Sequence, residues 1–270
     1  MSINSLTSGG SASSGVVSAL ANNAKSITDI QTQLSTGKKI LDPAQQGVVT
    51  RLSSQVTGFN AAQNNIAKGQ NVLNVTASAL SSISDLLTQM QDLANKANSS
   101  TISSSDATKL QQTFSALLNQ ITTTSNAAKV DGAGLTASTA TSLTIQTGIG
   151  TSDTTTLHVV KVDTTTLGIN ASDISTASGA TAAITALKTA LDTVSSNQSS
   201  VAADQVSLTS VTKLNASITD NLQNTIDSIQ KPDAAQLQMD LQNMNNQQSM
   251  NYYLINQMNQ EAQGVLTIFR

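Results

Sequence analysis

The chain has 270 residues and a formal net charge of −3, with 11% charged and 2% aromatic residues. Ser plus Thr make about 27% of it and Asn plus Gln about 18%, so neutral polarity replaces charge. The aromatic residues are Phe59, Phe114, Tyr252, Tyr253 and Phe269, so a core must be built from Leu, Ile, Val and Ala, which favours ridged helix packing over a thick globular interior.

A pI of about 4.9 and the lack of any basic run offer nothing to neutralise a line of phosphates, so no nucleic-acid partner is expected. Zero cysteines exclude a disulfide scaffold, a Cys-type zinc site and a thiol nucleophile together. The opening MSINSLTSGGSASSG has no basic stretch followed by an apolar one, so no secretory signal peptide is expected. No run of 18 apolar residues occurs, so no membrane span is expected either.

Leu6, Val17, Leu20, Ala24, Ile27, Ile30 and Leu34 predict a helix from Ile3 to about Leu34, weakened in its first turns by Gly9, Gly10 and Gly15. Gly37 stands where a C-cap belongs, and Asp42 before Pro43 supplies the next N-cap and first helical position. From Ala44 to about Ala97, Ile66, Leu73, Leu80 and Leu87 recur every seven residues. Ile83, Met90 and Ala97 form a second row three places on, and Leu86 and Leu93 widen the stripe. A helix of this length would run roughly 80 Å and needs partners all along it. After a Ser/Thr-rich break at 99–105, a second helix from about Asp106 to Ala128 offers Leu110, Phe114, Leu117 and Ile121.

The period then changes to nearly two around 143–146 and 157–162, with Gly148 and Gly150 between, which predicts a small hairpin within about 130–171. The Ser/Thr run from Thr136 to Thr166 is compatible with O-linked sugar and equally with the plain β propensity of Thr. From about Ala180 to Gln230, Leu187, Val194, Val201, Leu208, Asn215, Leu222 and Ile229 are each seven apart. Asn215 on that seam reads either as a register-fixing polar residue or as a wet position. Lys231, Pro232 and Asp233 end this helix and cap the last, whose stripe is Leu237, Leu241, Met244, Tyr252, Ile255, Ala262, Leu266 and Phe269. Breaks at Gly37 and Pro232 mirror each other, so the chain folds back with its two ends side by side and the hairpin at the far tip.

Nothing along the chain assembles chemistry. His158, the single histidine, sits in a β-type run between Leu157 and Val159 without catalytic or metal-binding partners nearby in sequence, and is read as structural. Gly37 and Lys38 resemble the end of a phosphate loop, but Thr32 and Lys39 occupy its other key positions. Asp85, Asp92, Asp106 and Asp131 read as solvated faces and caps. No catalytic, cofactor or metal site is expected. The informative features are the terminal stripes: residues 1–36 and 233–270 are too thinly apolar to form stable helices alone, which implies partners, most simply copies of the same chain.

Several stretches resemble bacterial flagellin: LSTGKKI at 34–40, the seam at 64–97, LTIQTGIGTSDTTTLHVV at 143–160, the returning helix at 183–208 and the terminal QEAQGVLTIFR. They are colinear over the whole chain. The resemblance implies a mainly α fold, a long antiparallel helical bundle with a small β-hairpin and paired N- and C-terminal helices, in a minimal flagellin without extra outer domains. It implies an extracellular filament subunit, exported unfolded by the flagellar apparatus and meeting the filament cap and hook-junction proteins, with a role in motility. Residues 1–40 and 233–270 would be the inner-tube helices and 41–232 the helical body. The interface would include Leu6, Val17, Leu20, Ile27, Leu34, Leu237, Leu241, Met244, Tyr252, Ile255, Leu266 and Phe269. Gln89 and Gln91 stand where the family often carries two arginines of an immune-receptor surface. Asn197, Gln198, Val201, Ala202 and Ala203 replace the usual Arg and Leu-Gly-Ala of the returning helix. A hook–filament junction protein shares this architecture, and a secreted coiled-coil adhesin would share the seams.

Overall fold

The structure, a computed structural model, describes the backbone of residues 4–268 and the side chains of 14–264 apart from Ala262. Five helices and two strands follow in order: α1 (Asn4–Thr36), α2 (Pro43–Ala97), α3 (Ser104–Ala127), β1 (Leu143–Gln146), β2 (Thr154–Leu157), α4 (Ala177–Gln230) and α5 (Ala234–Ile268). Their ends are set by local chemistry. Gly37 adopts φ +64 after α1, a conformation that glycine reaches without strain. The Asp42 carboxylate accepts from the Gln45 amide at 2.7 Å to cap α2, and Asp233 accepts from the amides of Ala235 and Gln236 to cap α5. Ser103 and Asp106 cap α3 reciprocally, and the Thr176 hydroxyl accepts from the Gly179 amide at the start of α4.

The chain divides into two compact units, one of Met1–Ser53 with Leu222–Arg270 and one of Ser54–Asn221. In the first, α1 packs against α5. The Asn23 side-chain amide donates to the Met244 carbonyl at 2.9 Å, and the Lys39 amide to the Gln230 carbonyl at 2.7 Å, which sets the pairing antiparallel. Among the described residues, Ile30, Val49 and Ile226 are the buried aliphatics of this unit, and most of the apolar stripe is only half-buried.

The second unit is built on α2 and α4, held antiparallel by bonds from Gln205 to Asn74 (3.0 Å) and from Thr181 to Asn98 (3.1 Å). The heptad rows close on each other: Ile66, Leu73, Leu80, Leu87, Leu187, Val194, Val201 and Leu208 are all essentially inaccessible. Phe114 and Ile121 of α3 enter the same core. After α3 the backbone reverses at Asp131 (φ 52) and Gly132 (φ 81), between mutual hydrogen bonds of Val130 and Ala133, the two-residue turn that Asp-Gly favours.

Two expectations change. The second strand is Thr154–Leu157, not 157–162: Val160 and Val162 instead donate to the carbonyls of Leu135 and Thr136, pairing with the segment that follows the turn. Nor does the hairpin occupy the tip. Its Ile145 lies against Gly69 of α2 and its Ile149 against Gly58, and the Thr147 carbonyl accepts from Asn215 of α4 at 2.7 Å. Two four-residue strands bury too little to stand alone, and the long helices offer them a surface with room made by missing side chains.

Candidate subunit interface

The terminal helices follow from a composition in which one face is apolar and the rest is Ser, Thr, Asn and Gln. On α1, Leu20, Ile27 and Leu34 are half-buried, and Asn23 and Ile30 between them are buried. On α5, Leu237, Leu241, Met244 and Ile255 are half-buried, with Gln248, Asn251 and Met258 completing that row. The half-burial of Leu20, Ile27 and Leu34 on α1 and of Leu237, Leu241, Met244 and Ile255 on α5 accompanies the packing of α1 on α5 within one chain. Val17 is 55% and Tyr252 53% exposed, outside the covered row. Leu6, Leu266 and Phe269 lie outside the described side chains. Asn251 and Met258, seven and fourteen residues on from Met244, are the signal that places Tyr252 off the row.

The same helix carries a second apolar face. Met239, Met250, Tyr253 and Leu254 are all exposed, Tyr253 at 69%. Between 234 and 260 the only charged side chain of α5 is Asp240. Exposed methionine, tyrosine and leucine on a nearly uncharged helix cost little to desolvate and are the composition of a contact surface.

Elsewhere polar groups are engaged in holding the fold. His158 is bound at both its backbone amide and its ring Nδ1 to the two carboxylate oxygens of Asp204, each at 2.7 Å. Asp204 is buried on the α4 seam, three places after Val201, and sequence spacing alone did not bring it to His158. Asp163 is buried too; burial raises its pKa, but hydrogen bonds from the Thr166 hydroxyl and the amides of Thr165 and Thr166 outweigh that and hold it below the usual carboxylate range. The Ser103 hydroxyl, then Lys109, lowers Asp106, and the Ser175 amide lowers Asp173. Among the described residues no three His, Cys, Asp or Glu side chains are grouped as a metal site would need. No described helix is long and apolar enough to cross a membrane.

These features define a long-helix protein whose first and last helices pair and present sparsely charged, partly apolar surface. Residues 8–141 match the bacterial flagellin N-terminal helical region. The chain is 26% identical to flagellin FljM of Caulobacter vibrioides over the whole of both chains. It is 30% identical to a flagellin of Listeria monocytogenes over 192 residues, covering 69% of this chain and 67% of that one. The chain belongs to the flagellin family, whose members are structural, non-enzymatic subunits of the extracellular flagellar filament. In fold it is similar to crystalline Bacillus cereus flagellin (TM-score 0.52, 24% identity, 56% of this chain and 88% of that one). It is also similar to a flagellar hook-associated protein of Vibrio parahaemolyticus (TM-score 0.59, 12% identity, 69% and 98%).

Proposed function

We propose that this chain polymerises with copies of itself through its terminal helices into a flagellar filament that serves motility. The observation that carries this reading is the pairing of α1 with α5 while Met250, Tyr253 and Leu254 of α5 stay exposed. A helix pair covered on one side and apolar on another is incomplete as a monomer. In this reading residues 1–40 and 233–270 are the inner-tube helices and 41–232 the body. The flagellar export apparatus, the filament cap and the hook-junction proteins are its other partners.

The likeness to a hook-associated protein concerns fold alone, whereas the whole-chain similarity is to flagellins. A hook–filament junction protein would be scarce in sheared filaments, and a major subunit abundant. The direct test is electron microscopy of purified chain added to filament fragments. Elongated tubes are the expected result; fragments that stay their original length while the protein remains soluble and helical would overturn the assembly reading.

A further inference from the structure

The terminal helices carry two rows of matching spacing and opposite character. On α1, Lys25, Thr32 and Thr36 are exposed, on the side of the helix away from Asn23 and Ile30. The hydroxyls of Thr32 and Thr36 are spent on the carbonyls of Thr28 and Thr32, at 2.8 and 2.7 Å, so these side chains can be covered without leaving a donor unpaired. On α5, Met250, Leu254 and Glu261 are exposed, in a row roughly a third of a turn from the one that meets α1. From Lys25 the threonines lie seven and eleven residues on. From Glu261 the leucine and methionine lie seven and eleven residues back. Laid antiparallel, the two rows put ammonium opposite carboxylate and bulky apolar groups opposite small, internally satisfied ones.

Within one chain this contact does not form. The bond from Asn23 to Met244 sets the internal register, and setting Lys25 opposite Glu261 displaces it by about 19 residues, roughly 28 Å. Among the described residues neither Lys25 nor Glu261 makes an ion pair.

We propose that the outward row of α5 (Met250, Leu254, Glu261) is the surface on which a second copy of this chain lays the outward row of its α1 (Lys25, Thr32, Thr36). The inference rests on the assembly reading and specifies the faces and register of one of its contacts. Two different faces meet, so the contact is heterologous, and its axial stagger makes each copy extend an open helical assembly in place of closing a ring. Charge complementarity selects the second copy as occupant, since the pair is left open in each chain and completed between chains.

The test is a charge swap between chains, read as elongation of wild-type filament fragments at low ionic strength, where charge effects are least screened. Lys25→Glu alone sets Glu against Glu, and Glu261→Lys alone sets Lys against Lys. Each variant is expected to keep wild-type helicity and to show a critical concentration raised about tenfold, equivalent to about 1.4 kcal/mol per added subunit. An equal mixture of the two sets opposite charges at every junction between unlike chains and is expected to recover to within about twofold of wild type. Single variants that elongate like wild type, or a mixture no better than its components, would overturn this contact. Wild-type chain that fails to elongate overturns the assembly reading instead, so the two failures are distinct.

Discussion

Asp163 shows how a single side chain makes a loop conditional on pH. Its carboxylate takes the Thr166 hydroxyl at 2.6 Å and the amides of Thr165 and Thr166 at 3.1 Å each, and its pKa is held below the usual carboxylate range. A folded-state value below the unfolded one means that the stabilisation is complete above the unfolded value and is lost as pH falls through the folded one. Asp163→Asn keeps an acceptor but loses the charge. It should lower stability at neutral pH by about 1–2 kcal/mol and flatten the fall in melting temperature below about pH 4. Circular-dichroism melts across that range check it; an acid limb that overlays the wild type's would contradict the role. Asn215 settles between its two sequence readings in the same way: it is 3% exposed and its amide is bonded to Thr147, so it is a partnered residue that joins α4 to the hairpin loop. Nothing local to position 215 announces a partner 68 residues away.

At the scale of elements, period and capping residues were legible because they are local. The starts of α2 and α5, the Gly37 stop and the heptad rows follow from spacing and from nearby side chains, whereas α3 begins at Ser104 on the Ser103 cap, two residues before the start expected at Asp106. The hairpin was legible as an element but not in its seat. Its place depends on Gly69, where a Cβ would come within 3.1–3.2 Å of Ile145 on one side and Leu208 on the other. Gly69→Val should overpack that junction at a cost of about 1–3 kcal/mol, despite a gain in helix propensity. Amide exchange should then accelerate in β1 and β2 while α3 stays protected. Unchanged protection of Ile145 and Thr155 would show that the hairpin does not depend on this close approach.

For the whole molecule, the two units carry different fractions of the core. Among the described residues the central unit holds nearly all the fully buried side chains, whereas α1 and α5 cover each other only partly. Ordering a backbone costs on the order of 1–2 kcal/mol per residue, and a half-buried stripe returns little of it. Deleting residues 233–270 should therefore leave the central unit folded, with its melt little changed, and strip α1 of the helix that covers Asn23 and Ile30. The truncated chain should lose more helix than the deleted segment itself contains and should fail to elongate fragments. If it still builds tubes of normal diameter, residues 233–270 are not inner-tube helices.

The sequence by itself determined the mainly helical class, the caps at Asp42 and Asp233 and the stop at Gly37, the two heptad rows that close as α2 and α4, and the flagellin resemblance. Each is written in residues seven or fewer apart, or in the order of such segments. Tertiary structure alone decided that Asp204 holds His158, that the hairpin lies along the helices beside Gly58 and Gly69, and which face of α5 α1 covers. Those choices depend on antiparallel register and on volume between elements far apart in the chain, and a helical period constrains neither. The stripe read through Tyr252 is apolar in composition, yet the row that meets α1 runs through Gln248 and Asn251, because geometry at 3.6 residues per turn selects a direction round the helix regardless of residue type.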